Sequence, residues 1–173
     1  GLWIRGLKPP LRLAEYKLVA FDMDSTLINI ECVDEIADVA GRKAEVAEIT
    51  EAAMRGEIAD YKDSLRRRVA MLEGTDAALL QRVLDDKLRL NPGAEDLIRA
   101  CQKAGLRTLL VTGGFTFFTE RMRERLGFDY TRSNEIEVIN GRLTGRVTGP
   151  AGGEIIDAEG KARALAEACE HLG

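Results

Sequence analysis

The sequence is poor in the residues on which much enzyme chemistry rests. It has one histidine, His171, near its end. A Ser-His-Asp triad or a multi-histidine zinc site needs histidine placed elsewhere in the chain. Its three cysteines, Cys32, Cys101 and Cys169, are widely spaced, form no CxxC and lack metal-ligand spacing. They are expected to be buried free thiols. There is no basic surplus: 25 Lys and Arg stand against 29 Asp and Glu, a net charge of -4. Nucleic acid is therefore not an expected partner. No apolar run is long enough to span a bilayer, so no membrane association is expected. The opening Gly1-Leu2-Trp3-Ile4-Arg5-Gly6-Leu7 lacks the features of a signal peptide, which makes the cytoplasm the expected location. No internal repeat or low-complexity linker is present. The remaining chemistry must come from carboxylates, lysine, arginine and hydroxyls.

A length of 173 residues suits one domain carrying an insert, and 45% hydrophobic with 31% charged residues is an ordinary globular composition. Residues 17 to 23 read as a short buried strand ending in acid, and Leu106 to Val111 as a second, ending in Thr112-Gly113-Gly114. Short apolar runs between helical stretches predict an α/β fold with a parallel sheet. A helix is expected from Asn91 to Ala104, with Asn91 as N-cap, Pro92 as first helical residue and Gly105 as stop. Another should follow Gly114, with Phe118, Met122 and Leu126 on one stripe. The stretch from about 30 to 90 is nearly all helix-forming and is punctuated by Gly41, Gly56 and Gly74. Val46, Ile49 and Ala53, then Leu80, Val83 and Leu84, recur at helical spacing. This predicts a helical cap over 30–90, inserted after the first strand of a core made of 1–29 and 91–173. Alternating residues on both sides of Asn140-Gly141 predict a hairpin. A final helix is expected from about Ala158 to the end.

Asp22 and Asp24 stand two positions apart where a buried strand leaves the sheet, the side on which open α/β sheets bind ligands. An aspartate there can attack phosphorus, and a second can protonate the leaving alkoxide. Read alone, the pair suits a solvated turn with helix-capping acids better than a catalytic site. A unit charge pair about 4 Å apart interacts with roughly 4 kcal/mol at an effective dielectric of about 20. A carboxylate approaching a phosphate dianion therefore needs a cation and a lysine nearby. Magnesium fits, because it binds one or two carboxylates together with substrate phosphate. Thr112 offers a hydroxyl, and Gly113 and Gly114 allow close main-chain approach, although a Thr-Gly-Gly turn alone is weak support. Arg68 lies about 20° from Tyr61, at the edge of an apolar stripe of Tyr61, Leu65, Val69 and Leu72. It would either meet an anion there or reach solvent.

Phe21-Asp22-Met23-Asp24-Ser25-Thr26-Leu27 resembles the first motif of the haloacid dehalogenase superfamily. Val111-Thr112-Gly113-Gly114-Phe115 resembles its second, and Lys161 in Asp157-Ala158-Glu159-Gly160-Lys161 its third. Glu31-Cys32-Val33-Asp34-Glu35-Ile36-Ala37 and Ser64-Leu65-Arg66-Arg67-Arg68-Val69 look more specifically like its bacterial phosphoserine phosphatase branch. The resemblance implies a Rossmann-like parallel sheet with helices on both faces. It further implies a magnesium-dependent phosphomonoester hydrolase that converts L-phosphoserine to L-serine through an aspartyl-phosphate. Asp22 would be the nucleophile and Asp24 the general acid/base. The Asp22 side chain and the Asp24 carbonyl would hold Mg2+. Thr112, Gly113 and Lys161 would bind phosphate, Glu31 the substrate ammonium and Arg68 its carboxylate. Related substrates such as histidinol phosphate or phosphoethanolamine stand as alternatives, as does an inactive binding module.

One departure stands out. The family's fourth motif, a strand and an acidic turn supplying another metal-binding acid, is absent before the chain stops at His171-Leu172-Gly173. A trimmed or partly ordered longer protein, or a true fragment with weakened magnesium binding, would account for it. Either way residues 17 to 22 are expected to leave an open strand edge. Leu2-Trp3-Ile4, or a second molecule in a homodimer, is expected to cover it. A regulatory domain ahead of Gly1 is also compatible with the family.

Overall fold

The computed structural model describes residues 12–173 of the chain. Strand β1 (Leu18–Phe21) lies parallel to β2 (Arg107–Phe115), which lies parallel to β3 (Tyr130–Ile139). β4 (Arg142–Thr148) returns antiparallel to β3, completing the sheet order β1-β2-β3-β4. Asn140 and Gly141 take positive φ of 51° and 75°, the backbone that a tight hairpin with the right-handed strand twist requires. β2 is central and nearly all buried, so both of its faces carry apolar side chains. Leu110 and Phe115 join a large core with Ile98, Phe118 and Met122, whereas Leu109 and Val111 meet Ile156 and Ala164. Helices α5 (Ala94–Lys103) and α6 (Thr116–Leu126) therefore cover one face and α7 (Ala158–Leu172) the other.

Four helices lie between β1 and α5: α1 (Cys32–Val39), α2 (Lys43–Met54), α3 (Tyr61–Ala70) and α4 (Ala78–Arg82). Gly41, Gly56 and Gly74 sit at their junctions, each with positive φ. Asp60 caps α3 by accepting the Lys62 N–H at 3.0 Å, and Arg67 and Arg68 occupy its last turn, where cations suit the helix dipole. Val46, Leu65, Val69, Leu72, Leu80 and Val83 belong to the same core as the sheet. The hairpin buttresses the insert, since Gly74 and Ala77 donate main-chain bonds to Leu143 and Gly141. The chain enters and leaves the insert side by side. Ile28 bridges Leu90, and the Asn91 amide donates to the carbonyls of Thr26 and Ile28 at 2.8 and 3.2 Å.

Several local expectations shift. The fifth helix starts at Ala94, after Gly93 at φ 81°, so Asn91 is not its N-cap. The Asn91 side chain is taken by the two carbonyls on the segment entering the insert instead, a tertiary contact stronger than the local preference. β2 runs on through Gly113 and Gly114 to Phe115, and the next helix begins at Thr116. Cys32 and Cys101 are buried free thiols, but Cys169 is exposed. Cys169 stands on the outward side of α7, whose inward contact is made by Ala164. The far edge of β1 has no strand partner among the described residues. Leu18, Val19 and Phe21 are only half-buried there, and the Lys17 ammonium reaches the carbonyl of Gly173. The expected cover Leu2-Trp3-Ile4 lies outside the described residues. No helix among the described residues is long and apolar enough to cross a membrane.

Candidate active site

β1 is four residues long, and Asp22 follows it directly. One Asp22 oxygen accepts the Met23 N–H at 2.9 Å and the other meets the Lys161 ammonium at 2.8 Å. The carboxylate remains 40% exposed, so one side is open to a ligand. The chain then makes a wide turn closed by the Ile28 N–H on the Met23 carbonyl at 3.0 Å. Within it Ser25 takes φ 53°, and an Asp24 oxygen lies close to Gly114 of the neighbouring strand. One Asp24 oxygen is buried without a hydrogen-bond partner. Burial pushes the Asp24 carboxyl up to about 7. The Cys32 thiol and N–H oppose this shift, while the Glu31 and Asp22 charges add to it. A neutral carboxyl near neutral pH is what a general acid needs.

β2 carries the other half of the site. Val111 pairs with Arg132 and Phe115 with Asn134, so Thr112, Gly113 and Gly114 all stand opposite Ser133. Such a bulge bends the strand and re-aims its groups. A Cβ on Gly114 would lie 2.8 Å from an Asp24 oxygen and 3.3 Å from the Thr112 hydroxyl oxygen. Only glycine lets these two groups flank the strand so closely. A Cβ on Gly113 would lie 2.0 Å from the Tyr61 hydroxyl. The Thr112 hydroxyl itself accepts the Gly114 N–H at 2.9 Å.

Lys161 reaches Asp22 from the first turn of α7. Asp157 caps that turn by accepting the Gly160 N–H at 2.8 Å, which holds its carboxyl below the usual carboxylate range despite partial burial, aided by Lys62. From the insert come Glu31, just ahead of α1, and Arg68 on α3. Glu31 is exposed and accepts the Ser25 hydroxyl at 2.5 Å. The Arg68 Nε is buried without a partner. Asp24, Glu31, Tyr61, Arg68, Gly113 and Gly114 line a cavity of about 50 Å³. A water molecule's share of liquid volume is about 30 Å³, so this space holds a water or two and not an amino-acid phosphate. Beyond Tyr61 and Arg68 opens a wider hollow of about 340 Å³.

Every residue singled out in the sequence thus falls in one region: Asp22 with Lys161, and Asp24, Glu31, Arg68 and Gly113 around one cavity next to Thr112. Three further residues gave no local signal. Tyr61 reads from spacing as core, yet it is 43% exposed with its hydroxyl over Gly113. Lys62 joins Glu154 and Asp157 at 3.3 and 3.5 Å, tying the insert to the start of α7. Asn134 lies just ahead of the alternating hairpin pattern and is fully buried. For a metal, the donors on offer are the open Asp22 carboxylate, the Asp24 carbonyl and the orphaned Asp24 oxygen. No group of three or more metal-binding side chains exists among the described residues. That sparse, all-oxygen set fits magnesium, which keeps waters and takes further oxygens from a phosphate.

The haloacid dehalogenase-like hydrolase family model matches residues 19–173. A phosphoserine phosphatase from Polaromonas sp. is 61% identical over all 173 residues, and the chain spans 73% of that protein's length. A haloacid dehalogenase family hydrolase from Salmonella enterica superposes with a TM-score of 0.84 at 36% identity, over 95% of this chain and 54% of the other. A substrate-bound phosphoserine phosphatase superposes with a TM-score of 0.81 at 34% identity, over 91% of this chain and 72% of the other. The chain belongs to the haloacid dehalogenase-like hydrolases.

Proposed function

We propose that the protein hydrolyses L-phosphoserine to L-serine and phosphate, with residues 30–90 acting as a cap over the site. The observation that carries the chemical part is the opposition of two differently placed aspartates. Asp22 is open and paired with Lys161 at 2.8 Å, whereas Asp24 has a buried oxygen without a partner and burial pushes its carboxyl up to about 7. An open carboxylate beside a lysine suits attack, and a carboxyl raised by burial suits carrying a proton. An Asp22 oxygen attacks phosphorus as the bond to the serine oxygen breaks, and Asp24 gives its proton to that leaving oxygen. Water then attacks the aspartyl-phosphate and passes a proton to Asp24, which frees phosphate and restores Asp22. Lys161 and the Thr112 hydroxyl hold phosphate oxygens, and Gly113 leaves room for them. A magnesium ion, held by the Asp22 carboxylate and the Asp24 carbonyl, would offset the repulsion between carboxylate and phosphate.

The substrate assignment is supported by the Polaromonas relative and by the cap residues. Arg68 is a bidentate donor lacking a partner at its Nε, which suits a carboxylate, and Glu31 suits an ammonium. The cavity of about 50 Å³ is smaller than phosphoserine, and in this reading Tyr61 shifts for entry and returns to exclude water. Comparing phosphate release from L-phosphoserine and phosphoethanolamine tests the assignment. Arg68→Ala should cost roughly tenfold or more in kcat/KM for phosphoserine and leave phosphoethanolamine nearly unchanged. Equal losses on both would refute Arg68 as the carboxylate contact.

A further inference from the structure

We propose that Asn134 is a positioning residue that sets the Thr112 hydroxyl as a hydrogen-bond donor to phosphate, acting through the Gly113–Gly114 peptide. This rests on reading Thr112 as a phosphate contact. Asn134 is fully buried, and both ends of its amide are engaged. Its Nδ2 donates to the Gly113 carbonyl at 2.8 Å, and its Oδ1 accepts the Ile156 N–H at 2.8 Å. These partners fix which end of the amide is which, since a carbonyl needs a donor and an N–H an acceptor.

The consequence travels across one peptide plane. In a trans peptide the C=O and N–H point in opposite directions. Asn134 therefore pulls the Gly113 carbonyl to one side, and the Gly114 N–H is turned to the other, where Thr112 Oγ1 accepts it at 2.9 Å. A hydroxyl has one donor hydrogen and two acceptor sites. With an acceptor site filled by Gly114, the Thr112 hydrogen is left to point toward a ligand. Glycine on both sides of this peptide gives it no side-chain restraint against flipping. A flip would withdraw the N–H from Thr112 and turn a carbonyl oxygen into its place.

The Asn134 backbone is itself held. Its carbonyl accepts the Thr116 hydroxyl at 3.0 Å, and the Ser133 hydroxyl lies 3.1 and 2.9 Å from those of Thr116 and Thr119. The other end of the amide holds Ile156, the residue before the Asp157 cap of the helix that delivers Lys161. One side chain thus fixes the Thr112 and Lys161 sides of the site relative to each other.

A double-mutant cycle on inorganic phosphate binding, read by calorimetry, tests this. Asn134→Asp keeps an acceptor for Ile156 but sets a carboxylate oxygen against the Gly113 carbonyl, while Thr112→Val removes the hydroxyl. Each alone should weaken phosphate about tenfold. The double variant should be within about twofold of Thr112→Val, because Asn134 acts through that hydroxyl. Ser133→Ala, which disturbs the same buried network without touching Gly113, should lower Tm yet leave phosphate binding within about twofold. If Asn134→Asp does not fold, Asn134→Ala replaces it; because it also frees the Ile156 N–H, its single loss should exceed tenfold, and the loss it adds to Thr112→Val should be smaller than the loss it causes alone. Multiplying losses in the double variant, unaltered phosphate binding by the Asn134 variants, or a wild type that binds no phosphate would each overturn the inference. Phosphoserine turnover plays no part in the readout. Phosphate binding without turnover would count against the substrate assignment alone.

Discussion

Gly113 shows how little space separates the insert from the sheet. A Cβ there would come within 2.0 Å of the Tyr61 hydroxyl, the tip of a side chain rather than fixed backbone. Gly113→Ala should therefore push Tyr61 outward and reduce activity by roughly tenfold or more. Tyr61→Ala should restore much of that loss in the double variant, measured as kcat/KM for phosphoserine. If the double variant is as impaired as Gly113→Ala alone, the glycine serves main-chain geometry and not clearance from Tyr61. Residue chemistry was the most legible level of the sequence: two aspartates after an apolar strand, half-buried in the fold, a Thr-Gly-Gly segment and a lysine helix all converge on one region. Asn134 and Tyr61 were not legible because their parts depend on partners 21 and 52 positions away, at Gly113. Nothing in their immediate neighbours signals those contacts.

At the scale of elements, the insert is fastened to α7 by Lys62, whose ammonium meets Glu154 and Asp157 while only 19% of its side chain is exposed. If the insert opens to admit substrate, this bridge favours the closed form. Lys62→Ala should raise KM about two- to fivefold with the fold intact, and high salt should raise KM for the wild type but hardly for the variant. Identical salt responses in both proteins would remove the bridge from the account. A second fastening joins β2 to the start of β3. Asp129 accepts the Thr108 N–H and hydroxyl at 2.8 and 3.0 Å and meets Arg107 at 2.6 Å. Burial would raise its carboxyl, but these bonds hold it below the ordinary 3.8. A depressed folded value means stability that is present above about 3.8 and lost as pH falls through that lower value. Asp129→Asn should thus lower Tm at neutral pH, with the gap to wild type narrowing below about 3.8. A gap independent of pH would contradict the assignment. Strands, hairpin and most helices followed from periodicity and turn residues. The exceptions, the start of α5 and the end of β2, lie where Asn91 and the glycine bulge answer to distant groups.

Across the whole molecule, sheet and insert share one apolar core, yet the two crossings between them, near 27–29 and 89–91, run side by side. In the proposed reading the insert shifts about these two crossings while the sheet and α7 hold Asp22, Thr112 and Lys161. The parallel sheet was legible from two apolar runs with helices between them. The placing of α7 against β2, which brings Lys161 to Asp22 across 139 positions, was not, because packing of a helix on a sheet face leaves no local mark. The central claim is that Asp22 carries the phosphoryl group. The most direct measurement is an acid quench of the protein during turnover of L-phosphoserine with magnesium, followed by mass spectrometry of the peptide containing Asp22. A phosphoryl adduct on Asp22 is expected, and in Asp22→Asn both the adduct and turnover should be absent. Turnover that survives Asp22→Asn, or an adduct located on another residue, would contradict it.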